Sequence, residues 1–308
     1  MLALVNFAEL LFPDFSLILA GFLICRYTPL DRPVWEQVEG LVYYVLFPVL
    51  LVQSILKSPL DIGATSSLIG AGLALGAAGI AMAYAVPHLP GLRKYIDARE
   101  HAGAAQVAFR FNSYIALAMS ERVAGPQGLM LIAVLIGFCV PVVNVGAVWP
   151  MARHGGMHLG SALLRNPLII ATTVGLTGNF LGLKIPGFME QSFTRIGAAS
   201  LALGLMTAGA GMQFGSLQRA KALAVSLLVI RHVASPLVAW GLAHALQLDR
   251  TQTLVLLAYA GLPTAASCYV LAARMGYNGA FVAALVTIST VLGLASLPFS
   301  LGVLGGFR

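Results

Sequence analysis

Long apolar runs separated by short polar segments dominate this sequence. Lys, Arg, Asp and Glu are all missing from residues 62–92, 123–152, 196–218, 251–273 and 275–307. A helix needs roughly 20 apolar residues to cross a hydrocarbon core of about 30 Å, whereas buried helices of soluble proteins give runs of about 10–14. The pattern therefore predicts an all-α polytopic membrane protein and argues against a soluble globular domain.

The spacing of these runs predicts ten transmembrane helices joined by short loops. We place the spans near 10–26, 37–57, 64–86, 101–121, 127–150, 161–182, 194–213, 220–246, 251–274 and 278–304. No predicted loop is long enough to hold a soluble domain. Residues 1–308 are therefore expected to form a single membrane domain.

Composition and charge agree with this prediction. Hydrophobic residues make up 59% of the chain and charged residues 9%, against about 25% charged in soluble domains. The net charge of +7 is scattered over short loops, which favours a topology signal over nucleic-acid binding. Loops after odd-numbered spans hold ten basic residues and the opposite face six. The positive-inside rule then puts both termini on the non-cytoplasmic side of the inner (plasma) membrane.

The two halves of the chain show a faint repeat. Pro13 and Pro167 are each followed by a glycine eight residues later, and Asn112 and Pro263 by glycines thirteen and sixteen residues later. Residues 10–150 and 161–304 would then be two five-helix repeats. Because five is odd, the copies cross the membrane in opposite senses. Inverted repeats are typical of secondary transporters, which bind substrate at the repeat interface.

Polar residues interrupt the fourth predicted span near its centre. Arg110 lies nine residues after His101, about 13 Å along a helix, and so falls near mid-membrane. A central arginine costs about 2.5–3.5 kcal/mol on insertion scales, so it must face protein or water. Asn112 and Ser113 favour caps and turns over helix interiors. This stretch is a candidate helix break and substrate site.

Gly261, Pro263 and Thr264 place a second candidate break in the ninth span. Proline lacks an N–H and clashes with the preceding turn, and glycine adds backbone freedom. Two broken helices at equivalent places indicate a transport site, and the positive ends of their second halves favour an anion. The alternative is that Pro263 is a kink that only shapes packing.

Other spans carry polar or helix-breaking residues at depth. Asn144 in the fifth span is either a contact between helices or a substrate ligand. In the second span Pro48 precedes Gln53 and Ser54, which are candidate substrate contacts or else a cap or an interface.

The eighth span carries Arg231 and His232, followed by Pro236. Arg231 is expected near mid-membrane, where it would bind substrate or, as we favour, hold backbone carbonyls. His232 is expected to be a helix contact rather than a proton relay. Arg231, Pro48, Gly261 and Pro236 are therefore predicted to be structural or gating residues.

Acidic residues are missing from the middle of every predicted span. All eleven Asp and Glu residues fall near span ends or in loops, whereas proton pumps and many sodium-coupled carriers use buried carboxylates. The P-loop, HExxH and GxSxG motifs do not occur, and none of the three cysteines has CxxC spacing. The sequence therefore predicts no enzyme activity, no cofactor and no metal.

These segments resemble the auxin efflux carrier family, especially its bacterial malonate and malate permeases. The matching stretches are RFNSY at 110–114, PVVNV at 141–145, NPLI at 166–169 and LPTAAS at 262–267, followed by YVLA at 269–272. The resemblance spans nearly the whole chain. It places the family's crossing-helix Asn and Pro on Asn112 and Pro263, its fifth-span Asn on Asn144, and a position often held by lysine near Arg231.

The resemblance implies two inverted five-helix repeats with crossed broken helices four and nine. It also implies a scaffold of spans 1, 2, 6 and 7 beside a transport domain of spans 3–5 and 8–10 that moves as an elevator. Homodimers would form through the scaffold, and the substrates would be small carboxylates. Two alternatives stay open: a sodium-coupled symporter of the related bile acid carrier type, and a membrane sensor that does not transport.

Overall fold

The computed structural model of the chain describes residues 2–57, 62–155, 167–212, 220–265 and 267–306. Nearly all of these residues are helical and none forms a strand, which confirms the all-α prediction. The first half, in chain order, contains α1 (Leu2–Tyr27), α2 (Arg32–Leu41), a π-helical turn (Val42–Leu46), α3 (Phe47–Lys57), α4 (Ile62–Ala85), α5 (Ala98–Ala104), a 3-10 turn (Ala105–Ala108) and α6 (Ser113–Gly155).

The second half also consists of helices that are interrupted at a few points. It contains α7 (Pro167–Phe180), α8 (Gly187–Ala210), α9 (Lys221–Val229), a π-helical turn (Ile230–Ala234), α10 (Ser235–Ala245), α11 (Arg250–Gly261), α12 (Ser267–Arg274), α13 (Gly279–Pro298) and a last π-helical stretch (Phe299–Leu304).

Five helices among the described residues are long and apolar enough to cross a membrane. They are Arg32–Lys57, Thr65–His88, Ile115–Arg153, Lys221–Ala245 and Gly279–Leu304. The short helices α5, α11 and α12, which flank the two interruptions, add pieces that are each shorter than a bilayer. The count of ten spans therefore stays a prediction. The first part of the predicted sixth span, 161–166, lies outside the described residues.

Two helices begin earlier than predicted. The first starts at Leu2 rather than near residue 10. The second starts at Arg32 rather than near residue 37, where Asp31 has the extended backbone of an N-cap and proline follows in the first turn. The second correction matters for the site, because it moves Glu39 from a span end into the second turn of a helix.

Both interior π-helical turns end just before a proline. The N–H of Phe47 bonds to the carbonyl five residues back, as does that of Ser235. Pro48 and Pro236 follow directly, and a proline ring clashes with the carbonyl four residues before it. Widening the helix by one residue relieves this clash. Both prolines therefore shape their helices at depth, while their gating role stays a prediction.

The segment α6 is two helices that meet at a kink. Ala124 and Gly125 leave helical geometry, and Gly125 has φ 61° and ψ −152°, a conformation that only glycine adopts readily. Gly276, which follows the other broken helix, also has positive φ, at 78°. The predicted loop between the fourth and fifth spans is thus this single kink.

Backbone-to-backbone contact joins α1 to α8. A methyl group on Gly209 would overlap the carbonyl of Ile18, and one on Gly21 would overlap the carbonyl of Met206. In the same way α3 packs on α7, where Gly175 lies against Ile55. Small residues let helices approach closely where the hydrophobic effect supplies no drive between them.

The outer surface carries apolar stripes that fit a lipid environment. On the run Lys221–Ala245 a stripe of five exposed residues repeats every three to four positions: Val225, Val229, Val233, Leu237 and Trp240. Such a stripe would be costly in water but is neutral against lipid tails.

Candidate functional site

The two predicted helix breaks lie against each other. The backbone N–H of Asn112 donates to the carbonyl of Pro263 at 2.9 Å, and the hydroxyl of Thr264 donates to the carbonyl of Arg110 at 3.1 Å. The chain is non-helical on both sides of this contact. The breaks that polar and helix-breaking residues predicted are therefore joined, partly through backbone atoms alone.

Arg110 carries a buried positive charge at this junction. It is 4% exposed, and its guanidinium donates to Gln106 Oε1 at 2.8 Å and to Ser267 Oγ at 3.0 Å. No described carboxylate oxygen lies within 4.0 Å of it. Neutral partners thus position the guanidinium without neutralising its charge, which leaves it attractive to an anion.

Asn112 begins the second half of the first broken helix. Its side-chain Oδ1 accepts from the N–H of Ile115 at 3.2 Å, and its carbonyl accepts from the N–H of Ala116 at 3.0 Å. This is the geometry of an N-cap. The positive end of the helix dipole therefore points toward the junction, and Ser113 is the first residue of that helix.

Asn144 brings an unused amide to the same place. The side chain is 1% exposed, and its Nδ2 has no hydrogen-bond partner among the described residues. A buried donor without a partner costs about 1–3 kcal/mol. A ligand oxygen would satisfy it.

A cavity of about 60 Å³ connects these groups. It has room for several water molecules, which need about 10–15 Å³ each. Its polar wall consists of Arg110, Asn112, Ser113 and Asn144 together with Glu39, Tyr43, Thr207 and Ser267. The structure thus brings together four of the residues that the sequence singled out. Among the described residues no group of three His, Cys, Asp or Glu side chains could hold a metal ion.

Other predicted contacts lie outside this cavity. The side chain of Gln53 is 7% exposed, donates to Thr194 Oγ1 at 3.1 Å and lines a separate cavity beside Lys57. Pro263 and Thr264 do not line the cavity, but they accept and donate the two hydrogen bonds that join the helix breaks. The side chain of Ser54 lies outside what the structure describes.

Arg231 braces the second broken helix. Its Nε donates to the carbonyl of Leu262 at 2.7 Å and its Nη2 to the carbonyl of Tyr259 at 3.0 Å. These carbonyls end α11, where a cation is favourable. Arg231 is 2% exposed and is not among the residues that line the cavity. This geometry favours a structural role for Arg231, which stays a prediction.

His232 sits in an ordered chain of hydrogen bonds. Ser296 donates to the carbonyl of Gly261 at 2.8 Å, so His232 Nδ1, also 2.8 Å from Ser296 Oγ, must be the donor to that oxygen. His232 Nε2 then accepts from Ser289 at 2.8 Å, and Ser289 accepts the N–H of Thr264 at 2.9 Å. In this neutral tautomer the ring links, through the two serines, the carbonyl of Gly261 before the break to the N–H of Thr264 after it.

Gly261 makes a close helix contact that the sequence did not predict. Its φ is not positive, so conformational freedom does not explain it. A Cβ there would lie 2.9 Å from Ser300 Cβ and 3.1 Å from Ser296 O. The glycine lets α11 approach the last helix closely.

Sequence reasoning missed Glu39, which lines the cavity from α2. The residue was placed near a span end, but its helix begins at Arg32, seven residues earlier, about 10 Å along the axis. Asp31 and the proline at the helix start are the signals that would have placed it correctly.

The described residues combine apolar helices of membrane length with a polar cavity at two joined helix breaks, an arrangement typical of membrane transporters. The model of a family described as membrane transport proteins matches residues 115–301, more than half of the chain. The protein therefore belongs to this family, which includes the auxin efflux carriers, and the resemblance drawn from the sequence is confirmed. A search of curated proteins found no match.

Proposed function

We propose that the protein carries small organic anions, above all carboxylates, across the inner (plasma) membrane by alternating access. The observation that supports this most directly is Arg110, a buried guanidinium that lines the cavity with no described carboxylate within 4.0 Å. A carboxylate would neutralise that charge. Charge-assisted hydrogen bonds in a low dielectric are the strong ones.

Two further groups favour an anion or a carbonyl oxygen. The Nδ2 of Asn144 has no hydrogen-bond partner among the described residues and needs an acceptor. The N-terminus of the helix that Asn112 caps adds a partial positive charge. Arg231 is not proposed to bind the anion, because both of its described hydrogen bonds go to backbone carbonyls.

The same proposal includes ten spans in two inverted five-helix repeats. Gly125 and Gly276, thirteen residues after Asn112 and Pro263, both have positive φ, which supports the repeat. If spans 1 and 2 correspond to 6 and 7, then the contact of α1 with α8 maps onto that of α7 with α3. Those four spans form the scaffold, and spans 3–5 and 8–10 move past it as an elevator.

The proposed assembly is a homodimer through the scaffold, with both termini on the non-cytoplasmic side. The partners are then a carboxylate substrate, lipid and a second copy of the chain, with no nucleic acid. Arg165, Arg219 and Arg308, which contribute to the predicted charge bias, lie outside the described residues.

The test is ligand binding by the purified protein in detergent. Malonate, malate, indole-3-acetate and their amides are compared by thermal shift and calorimetry for wild type, Arg110→Gln and Arg110→Lys. We expect at least one carboxylate to bind and its amide not to bind. Arg110→Gln should lose tenfold or more in affinity, about 1.4 kcal/mol, with Arg110→Lys in between.

The control variant is Arg195→Gln, which removes an exposed arginine and should bind as wild type does. Full affinity in Arg110→Gln together with lower thermal stability would make the arginine structural. Uptake into proteoliposomes then separates a carrier from a sensor, because a sensor binds the carboxylate but does not move it. A steep, saturable sodium dependence of uptake would favour the symporter alternative.

A further inference from the structure

Glu39 is an acidic side chain inside the candidate substrate site. It projects from α2, its side chain is 13% exposed, and it lines the same cavity as Arg110 and Asn144. The hydroxyl of Tyr269 on α12 donates to its Oε2. A carboxylate at this depth is costly and marks a functional position by default.

Glu39 also lines a second, wider cavity of about 530 Å³. Arg32, Tyr269 and Arg274 line this second cavity, which we call the outer cavity. None of them lines the first cavity, beside Arg110 and Asn144, which we call the inner cavity. Glu39 thus stands between the two spaces. A proton can reach its carboxylate from the outer cavity without passing through the substrate site.

The charged groups around Glu39 come from its own helix α2, from α12 and from the first helix break. On its own helix, Arg32 Nη2 lies 3.8 Å from Glu39 Oε2, and Arg32 Nε lies 3.5 Å from Glu36. The facing α8 adds Gly204 and Thr207 to the inner cavity, neither of which is charged. Among the described residues, the charged or titratable groups that face Glu39 or share a cavity with it are Arg32, Glu36, Tyr43, Arg110, Tyr269 and Arg274.

We infer that Glu39 takes up a proton when the substrate anion binds, so that the protein is a proton–anion symporter. This inference rests on the proposed function. An anion bound in the inner cavity would lie beside the Glu39 carboxylate, which lines it, and like charges in one site favour protonation of one of them. By linkage, a protonated Glu39 also increases the affinity for the anion. The proton comes from water in the outer cavity, and one positive charge accompanies each anion.

The measurement is the number of protons taken up per anion bound. Malonate, or malate if malonate does not bind, is titrated into the purified protein by calorimetry in phosphate and in Tris at one pH. The difference in heat gives the proton count. Wild type should take up between about half a proton and one proton per anion, because linkage is incomplete when Glu39 is already partly protonated.

Glu39→Gln should bind the anion with no proton uptake, because glutamine mimics the protonated acid and still accepts from Tyr269. Its affinity should be nearly independent of pH. The matched control is Glu36→Gln, one turn away on α2 with a side chain that is 60% exposed. This control should keep the proton uptake.

The outcomes separate this inference from the proposed function. If no carboxylate binds the wild type, the proposed function fails. If a carboxylate binds without proton uptake, only the coupling fails, and that result needs no variant to fold. Unchanged proton uptake in Glu39→Gln assigns the proton to another group and also overturns the inference. In proteoliposomes, malonate uptake should acidify an internal pH dye in wild type and in Glu36→Gln but not in Glu39→Gln.

Discussion

Replacing His232 by leucine should weaken the protein without abolishing its chemistry. The neutral imidazole donates to Ser296 and accepts from Ser289, each at 2.8 Å, and it is 6% exposed. A neutral hydrogen bond contributes about 0.5–1.5 kcal/mol, so the loss of two costs about 1–3 kcal/mol. His232→Gln can supply one donor and one acceptor and should recover part of this loss.

The assay is thermal unfolding of the detergent-purified protein, followed by tryptophan fluorescence. On the scale of soluble proteins of 150–250 residues, this cost lowers Tm by about 2–12 °C. The control is His244→Leu, which changes an exposed histidine on the same helical run whose ring contacts Trp240 and should lower Tm less than His232→Leu does.

One result would refute this reasoning. If His232→Leu kept the wild-type Tm but lost the pH dependence of substrate binding, the imidazole would be a proton carrier and not a brace. The same experiment tests the assignment of the proton to Glu39. Proton uptake should be lost when Glu39 is replaced and kept when His232 is replaced.

Three other predictions follow from the site and the packing. Replacing sodium by potassium on both sides of a proteoliposome should leave the initial rate of carboxylate uptake within about twofold, since Glu39 is assigned to a proton; a saturable sodium requirement would contradict it. Asn144→Ala and Asn112→Ala should both abolish transport with nearly intact expression. Only Asn112→Ala should also lose stability, by about 1 kcal/mol, because it removes the N-cap; equal melting temperatures of the two variants would contradict this. Gly209→Ala should cost about 1–3 kcal/mol by overpacking because its methyl overlaps the Ile18 carbonyl, whereas Gly40→Ala, which meets nothing within 4 Å, should be neutral; similar Tm values for the two would refute the contact.

Local chemistry made the helix breaks predictable from the sequence. Asn112 and Pro263 interrupt helices through their own side chains, so their effect could be foreseen without knowing their neighbours. Their mutual contact could not be derived in the same way, since it depends on how helices far apart in sequence pack. The resemblance to a known family supplied that expectation.

Side-chain partners were harder to predict than positions. Arg110 was expected at depth, and Gln106 lies four residues earlier on the same segment, but Ser267 as its other partner follows only from the packing of the two halves. Glu39 was misplaced because an amphipathic first turn hides the start of a helix from a count of apolar residues. Gly261 was assigned flexibility because close packing leaves no signature in a single sequence.

The bond between the Asn112 N–H and the Pro263 carbonyl has a consequence for how this site can change. Neither atom belongs to a side chain, so every residue except proline at position 112 can make the bond. The two groups proposed to bind the ligand, the Arg110 guanidinium and the Asn144 amide, belong in contrast to side chains. Substitutions of these side chains can therefore change the ligand preference while the backbone contact between the helix breaks is kept. The same fold could then serve proteins that bind different ligands.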